Sequence, residues 1–592
     1  MKKFIVGLSL ALLLASTPSW GVRATYVPDL VVTEPGAVWT DIRAYTSLTA
    51  AIADIGATES TLLISKDITL GASVVIPSTI TLKNTQGSVI TLGAYNLTIQ
   101  GALDVPPRQI FNQNSTGEVI NDSSQIREAY AEWWGADASD STDDLAAVQA
   151  AIDFMQGKYS TSKFTSGKVQ LLGGTYTIAG TIDIDAAVII QGEGRTLVNS
   201  GNSNETVLRG TTDASLITVT ADDVDTVTTT SDDQWFSLRD LNLYTTVAHT
   251  TPNAAIYSPD ANNNELMIQI NDVNIWGTFW NGIRSVKTAA ATAARVFAKN
   301  MFINDCEDDG IYLRYGDMAI LENISITKCE DDGVDSTSLA IRLVNCETFG
   351  NGGYGVRASD VQIVGGYYNN DNAGGIYISG TTVRHGSIVG ASIEYAGDLP
   401  AAGWPGGSDN TTAVGLTIDD TANGTLMVNG CWIYGSQGRG VEVNDGTLLI
   451  TTTTIQSPGQ GAQAAHLWAL YATTGGTVFM NACNLPSYGI YTDAARLFID
   501  NNLIASPSGT AVIFDVNGAN YVSITNNQFV ALSGTVTTAI DIDATAAGSS
   551  YVVQYGNNYS GTITNKVLRS AAPAPENITR GEIGRASCRE RV

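Results

Sequence analysis

The chain is short of positive charge: 31 Lys and Arg stand against 58 Asp and Glu in 592 residues, a formal net charge of −27. Such a balance repels nucleic acid and anionic membrane surfaces, and excludes both as partners. It also repels polyanionic glycans unless a cation bridges the two. Histidine is scarcer still. His249, His385 and His466 are scattered, so each is a solvated or packed residue and no histidine-based catalytic constellation is present. Long apolar runs are missing after residue 24, and a bilayer span needs about 20 apolar residues. EF-hand loops and glycine-rich calcium nonapeptides are absent too. Helix-period stretches of ten residues or more are rare, which argues against helical repeat architectures.

Cysteine is sparse, with six residues. Setting Cys588 aside, Cys306, Cys329, Cys346, Cys431 and Cys483 take what reads as one small-residue position of a repeat. An odd count in one ladder favours buried free thiols packed as small apolar groups. Parallel Cβ vectors on adjacent rungs fit disulfide geometry poorly.

What the chain does have is an echo. Cys306-Glu307-Asp308-Asp309-Gly310 recurs as Cys329-Glu330-Asp331-Asp332-Gly333, 23 residues later. It belongs to a longer series in which a small residue precedes a β-branched or aliphatic one. The series runs through Ala255-Ile256, Gly282-Ile283, Gly310-Ile311, Gly333-Val334, Gly355-Val356, Gly375-Ile376, Gly415-Leu416, Gly440-Val441, Gly489-Ile490, Ala511-Val512 and Ala539-Ile540. A degenerate rung falls near Leu470. Short period-2 strands bounded by Gly, Asn and Asp at this spacing predict a solenoid. The period is too short for a propeller blade, which leaves a parallel β-helix whose coils stack about 4.8 Å apart. Asn501-Asn502, Asn526-Asn527 and Asn557-Asn558 predict an asparagine ladder at a turn, because Asn tolerates left-handed backbone.

The two ends read differently. Lys2-Lys3, the apolar stretch Phe4 to Ala15, and Ser19-Trp20-Gly21 or Val22-Arg23-Ala24 as cleavage site make residues 1–24 a secretory signal peptide. No Cys follows the apolar stretch, which argues against a lipid anchor. The expectation is an exported protein, secreted or at the cell surface. Residues 582–592 look like an in-frame sequencing adapter and are set outside the fold. Residues 25–125 form a small N-terminal β region, residues 126–565 the parallel β-helix, and residues 566–581 a linker or truncated end.

Residues 130–200 carry a family resemblance. Glu132-Trp133-Trp134-Gly135-Ala136 leads to Thr142-Asp143-Asp144, then Leu145, Val148, Ile152 and Met155 at helical spacing. The strand patterns from Gly167 to Ile178 and from Val188 to Arg195 follow. This resembles the opening of the pectate-lyase-like superfamily, in its rhamnogalacturonase- and epimerase-like branch, shared with phage tailspikes. Ser139-Asp140-Ser141 stands where Gly-Asp-Gly is usual. The resemblance implies an all-β fold, a right-handed parallel β-helix solenoid with an N-terminal capping helix. Asp143 and Asp144 are then capping residues, not an acid pair. Gly192-Glu193-Gly194 is a turn, since it lacks the Lys-Ser/Thr of a phosphate loop. The resemblance also implies a polysaccharide as partner and, from the tailspike side, a homotrimer as one assembly. The Gly-His-Gly and Arg-Ile-Lys motifs of polygalacturonase-like hydrolases are not found.

The acid echo is the candidate site. In register, six carboxylates stack, and like charges about 5 Å apart are costly. Three outcomes are open: splaying into water, catalysis, or Ca²⁺ binding. Catalysis assigns Asp308, Asp309, Asp331 and Asp332 as acid and base or nucleophile. Calcium assigns Glu307 and Glu330 as ligands. Trp276 and Trp280, with Arg314 and Arg342, are the candidate substrate-binding residues. Trp404, Trp432 and Tyr434 add aromatic surface on later coils, Trp404 in a Pro/Gly-rich loop. The function expected is glycan cleavage, by carboxylate-based hydrolysis or Ca²⁺-assisted elimination. The alternative is a non-catalytic glycan-binding surface protein or tailspike-like adhesin.

Overall fold

A computed structural model describes residues 39–580 except for 85–86, 157–166, 196–204, 221–233, 260–265, 287–293, 315–317, 381–384, 398–409, 411, 421–423, 457–467, 488, 494–495, 507–511, 518–520, 544–550 and 570–577. The segment expected to be a signal peptide, the adapter-like tail and Trp404 lie outside the described residues. Among those described, no helix is long and apolar enough to cross a membrane.

The chain coils as a parallel β-helix. Every paired strand in it runs parallel to its neighbour, and 37 strands from residue 128 onward join in one continuous ladder. Before it, three small parallel sheets over residues 39–121 make three short coils of the same kind. Helix α1 (Leu48–Ile55) sits beside this first stack, with the Ser47 hydroxyl accepting from the Ala50 N–H at its N-terminus. Such a cap satisfies one of the four orphan donors of a helix start.

Helix α2 (Leu145–Met155) occupies the junction. It packs against Val119–Asn121 of the first stack and against Gly167–Gln170 and Ile182–Ile184 of the main one. Val148, Ile152 and Met155 are buried, as their spacing predicts, while Leu145 is half-buried and Ala151 and Phe154 join the buried face. Asp144 stands at the N-cap position, but its side chain makes no capping bond. It accepts instead from the N–H groups of Asp137 (2.8 Å) and Thr177 (3.0 Å). Asp143 accepts from Leu145 and Ala179. Both acids therefore tie the helix start to the strand Gly174–Ile178.

Each main coil has three faces. The first and second are separated by a one-residue corner in left-handed conformation, and the ladder registers stack that corner through Asp240, Asp272, Asn300, Asn323, Asn345, Gly365, Gly390, Gly430, Thr452, Ala482, Asn501, Asn526 and Gly556. Asn, Asp and Gly dominate because they bear positive φ at least cost. The residue after each corner points inward. Asn502 and Asn527 do so, and each backbone N–H donates to the side chain one coil on, Asn502 to Asn527 and Asn527 to Asn557, both at 2.9 Å. The asparagine ladder is present, but Gly556-Asn557, one residue earlier than expected, is its third step.

A second left-handed corner runs through Gly277, Asp305, Lys328, Gly350, Asn370, Tyr395 and Gly435. The cysteines divide between the two. Cys306 and Cys329 follow the second corner, whereas Cys346, Cys431 and Cys483 follow the first. They are not one ladder. All five are buried and free, as small apolar residues should be.

The Gly-aliphatic series opens the third face. Ile283, Ile311, Val334, Val356, Ile376, Leu416, Val441, Leu470 and Ile490 stack in one buried column. Full burial of each such side chain contributes roughly 1.5–3 kcal/mol. Ala511-Val512 is two residues off: Phe514 stacks on Ile490. The glycines recur because successive coils come close. A Cβ on Gly310 would lie 2.7 Å from the Gly333 carbonyl oxygen, and one on Gly333 would lie 2.6 Å from that of Gly355.

Candidate functional site

The two acid runs are in register. Asn304 pairs with Thr327 before them and Ile311 with Val334 after them, both at an offset of 23. The runs form the loop between the second corner and the third face, and its backbone also stacks. The Glu330 N–H donates to Cys306 O at 2.9 Å, and the Asp331 N–H to Asp308 O at 3.1 Å.

The six acids fall into three environments. Glu307 is half-buried and Glu330 exposed. Partial burial and the Glu330 charge raise the Glu307 carboxyl above its usual value. Asp309 and Asp332 are buried, at 3% and 1% exposure. Asp309 accepts from the Asp332 N–H at 3.0 Å, and Asp332 from the Tyr354 N–H at 2.6 Å. Burial first, and neighbouring carboxylates second, push Asp309 up to about 10. Asp332 rises to about 8, again mainly through burial, eased by the Tyr354 N–H and the Arg357 charge. Both shifts favour the protonated form, which lessens the cost of stacking six negative charges. Asp308 and Asp331 make up the third environment. Asp308 accepts from Trp280 Nε1 at 2.8 Å and Asn281 Nδ2 at 3.2 Å. Asp331 lies at the surface, its carboxyl raised by partial burial and by Asp308, with Arg357 opposing.

Single oxygens of Asp308, Asp309 and Asp331 lie within 4.8 Å of one another. Glu307 and Glu330 stand outside that group. As a calcium site it is incomplete, since Ca²⁺ takes six to eight oxygens.

Two residues with no sequence assignment complete the cluster. Asp335, buried and raised to about 6 chiefly by burial, follows Asp332 on the third face. Arg357 pairs with it one rung on, and its Nη1 lies 3.9 Å from Asp332 Oδ2. Both directly follow marker pairs, Gly333-Val334 and Gly355-Val356. Aligning those pairs places them in one outward column with Arg284, Tyr312 and Tyr377. In that column the Arg284 guanidinium lies 4.6 Å from the Tyr312 ring centre, and Tyr354 stacks on Tyr377 at 4.8 Å. The column continues through Thr417, Glu442, Tyr471 and Tyr491.

The other candidates are dispersed. Trp280 joins the acids. Trp276 is on the second face, across the Gly277 corner, against Tyr244 at 5.5 Å. Arg314 is exposed at the end of the strand Ile311–Arg314, two residues beyond Tyr312. Arg342 is exposed on the first face, paired with Ile320 and Gln362. Arg357, not Arg342, faces the acids. Phe279 and Tyr368 fill the core, while Trp432 is 53% exposed.

No family model matches the chain, and no curated protein matches it. Among solved structures it is similar to the A-module of the Azotobacter vinelandii mannuronan C-5 epimerase AlgE6, with 14% identity, 73% of this chain and 99% of that one covered, and a TM-score of 0.40. It is similar to the catalytic unit of a GH87 alpha-1,3-glucanase from Streptomyces thermodiastaticus, with 13% identity, 74% and 69% covered, and a TM-score of 0.35. It is also similar to tailspike protein 2 of the Escherichia coli O157:H7 bacteriophage CAB120, with 14% identity, 69% and 43% covered, and a TM-score of 0.33. The β-helix rests on the strand registers of this chain, not on these likenesses.

Proposed function

We propose that the protein binds a polysaccharide along its third face and hydrolyses a glycosidic bond at Asp308 and Asp331. One observation carries this: two surface carboxyls on adjacent rungs are placed in different environments. Asp308 is held by Trp280 and Asn281, whereas Asp331 lies open with its carboxyl raised, an asymmetry that suits a nucleophile and a general acid. Asp331, raised by its surroundings, protonates the leaving glycosidic oxygen. Asp308, oriented by Trp280 and Asn281, attacks the anomeric carbon to give a glycosyl ester. Asp331, now ionised, takes a proton from the water that cleaves the ester.

The separation supports this order of events. Carboxyl groups about 5–5.5 Å apart serve retention, and about 6.5–9.5 Å serve inversion. One oxygen of each lies within 4.8 Å of the other, a closeness that suits retention better than inversion. Asp309 and Asp332 lie beneath, keep their protons, and position the surface pair. A polymer is too large to enter a cell, so this activity fits export through residues 1–24.

A non-catalytic glycan-binding role is the second possibility. The outward column from Arg284 to Tyr491 runs far past the acids, which favours binding whether or not cleavage follows. A panel of neutral and acidic polysaccharides separates the two. Hydrolysis predicts new reducing ends without the absorbance of unsaturated products. Binding across the panel with no bond broken would leave the adhesin role, and unsaturated products would establish elimination.

A further inference from the structure

The second face carries a surface that the acid cluster does not use. Its strands Glu347–Phe349, Tyr367–Asn369, Ser392–Glu394, Trp432–Tyr434 and Thr454–Gln456 stack in register on successive rungs. The middle residue of each is buried, so the alternation of a strand turns the first and third to the outer side. Phe349, Tyr367, Trp432 and Tyr434 give that side aromatic area, and Trp432 is its most exposed member.

These side chains hold one another in place. Glu394 accepts from the Tyr367 hydroxyl at 3.0 Å and from the Ser392 hydroxyl at 2.5 Å, and the Tyr367 oxygen accepts from Asn369 Nδ2 at 2.9 Å. Trp432 and Tyr434 meet edge-on with ring centres 6.4 Å apart, and Tyr434 meets Tyr395 in the same way at 5.2 Å. Tyr367 and Trp432 share one column with only Ser392 between them, so their backbone positions lie about 9.6 Å apart along the axis. Glu347 and Glu394 are the charged residues of these strands, and no Lys or Arg is among them. The described corner residues on either side of the same rungs carry no charge.

We infer that this face is a second polysaccharide site, which takes a neutral, hydroxyl-rich glycan lying along the helix axis. The inference rests on the reading that the protein meets a polysaccharide, but it needs no bond to be broken. Chemistry selects the occupant. Flat aromatic faces with polar edges suit the apolar side of a sugar ring. A carboxylate offers about four lone-pair sites. Glu394 uses two of them to fix Tyr367 and Ser392, which leaves capacity to accept from sugar hydroxyls. An anionic glycan meets only like charge on these strands, whereas the third face offers it Arg284 and Arg357. A pyranose and its linkage extend about as far as one rung, so rings two rungs apart engage alternate sugars. The Trp432 rung is four beyond that of Asp331, counted through the corners Gly350, Asn370, Tyr395 and Gly435, or about 19 Å along the axis. This site therefore retains long polymer, and a short oligosaccharide at the acids does not reach it.

Affinity electrophoresis of the full chain through gels holding dextran, galactomannan, mixed-linkage β-glucan or a polyuronate tests it. The proteins compared are wild type, Trp432→Ala, Trp432→Phe, and Trp432→Ala combined with Tyr367→Ala. At least one neutral polymer should retard wild type. Trp432→Ala should weaken that affinity at least about tenfold, the double variant further, and Trp432→Phe should keep most of it. Trp432 is 53% exposed, so the single truncation should keep the far-UV spectrum and carries the test if the double variant does not fold. Any release of reducing ends from short oligosaccharides should be the same in wild type and Trp432→Ala. Equal retardation of wild type and every variant by a neutral polymer overturns the inference and leaves the third-face reading standing. Retardation by the polyuronate alone overturns it in the same way. A wild type retarded by no polymer overturns both. Loss of short-oligosaccharide cleavage in Trp432→Ala would place this residue in the acid site and overturn a separate second site.

Discussion

Asp309→Asn should stabilise the protein at alkaline pH. Asp309 is buried, and its carboxyl is pushed up to about 10 from an ordinary 3.8. The folded state therefore holds a proton that the unfolded chain has lost. Its stabilising contribution is complete below 3.8 and fades as pH climbs through the folded value. At pH 8 the gap is roughly four units, or about 6 kcal/mol at about 1.36 kcal/mol per unit. The effective dielectric of real interiors is higher than a dry core, so about 2–3 kcal/mol is a realistic share. Asparagine never ionises and its carbonyl can still accept the Asp332 N–H. Its amide also donates where the protonated acid would. Urea unfolding at pH 5 and pH 8 should show Asp309→Asn within about 1 kcal/mol of wild type at the lower pH. At the higher pH it should gain about 2–3 kcal/mol. If the variant is equally destabilised at both, Asp309 holds no abnormal proton and the two-layer account of the cluster is wrong.

Three further outcomes follow from the coils themselves. Gly333→Ala places a methyl 2.6 Å from the Gly355 carbonyl oxygen and should cost about 1–3 kcal/mol, measured by chemical denaturation. An unchanged midpoint would mean the coils are not so closely stacked. Asn502→Ala leaves the Cys483 N–H without its acceptor and removes a donor to the carbonyl oxygens of Met480 and Asp500. A loss of about 1–3 kcal/mol is expected, and a neutral result would contradict the internal ladder. Cys306, Cys329, Cys346, Cys431 and Cys483 should resist iodoacetamide in the folded protein and all react once it is unfolded without reductant. A pair that stays unreactive after unfolding would indicate a disulfide.

Much of this architecture was legible in the residues because a parallel β-helix repeats its constraints. Gly310 and Gly333 are glycine for the same steric reason, so the same pair recurs and the period can be read. The 23-residue register of the acid runs followed directly. The two-residue slip at Ala511-Val512 arose because Ile513-Phe514 lacks the small residue that marks the other coils. Assigning the cysteines to one ladder failed because both corners demand the same thing, a left-handed residue followed by a small inward one. Local pattern cannot tell such corners apart. The candidate site was legible only in part. The acid loop announced itself by identity, whereas Asp335 and Arg357 are single residues whose relation exists only across rungs. Arg342 looked near by residue count, but the chain turns onto the first face before reaching it. Nor does composition reveal that Asp309 and Asp332 are sealed under the loop while Asp308 and Asp331 face out, since Asp-Asp-Gly reads as an ordinary turn.

The most direct measurement is reducing-end release from whichever polysaccharide the protein binds, by wild type and by Asp308→Asn and Asp331→Asn, with affinity measured in parallel. The expected result is a fall in turnover of at least about a hundredfold for each variant, as loss of an acid or nucleophile brings. Affinity and melting temperature should be nearly unchanged. Full activity in both variants would contradict the account and move any catalytic centre away from the stacked acids.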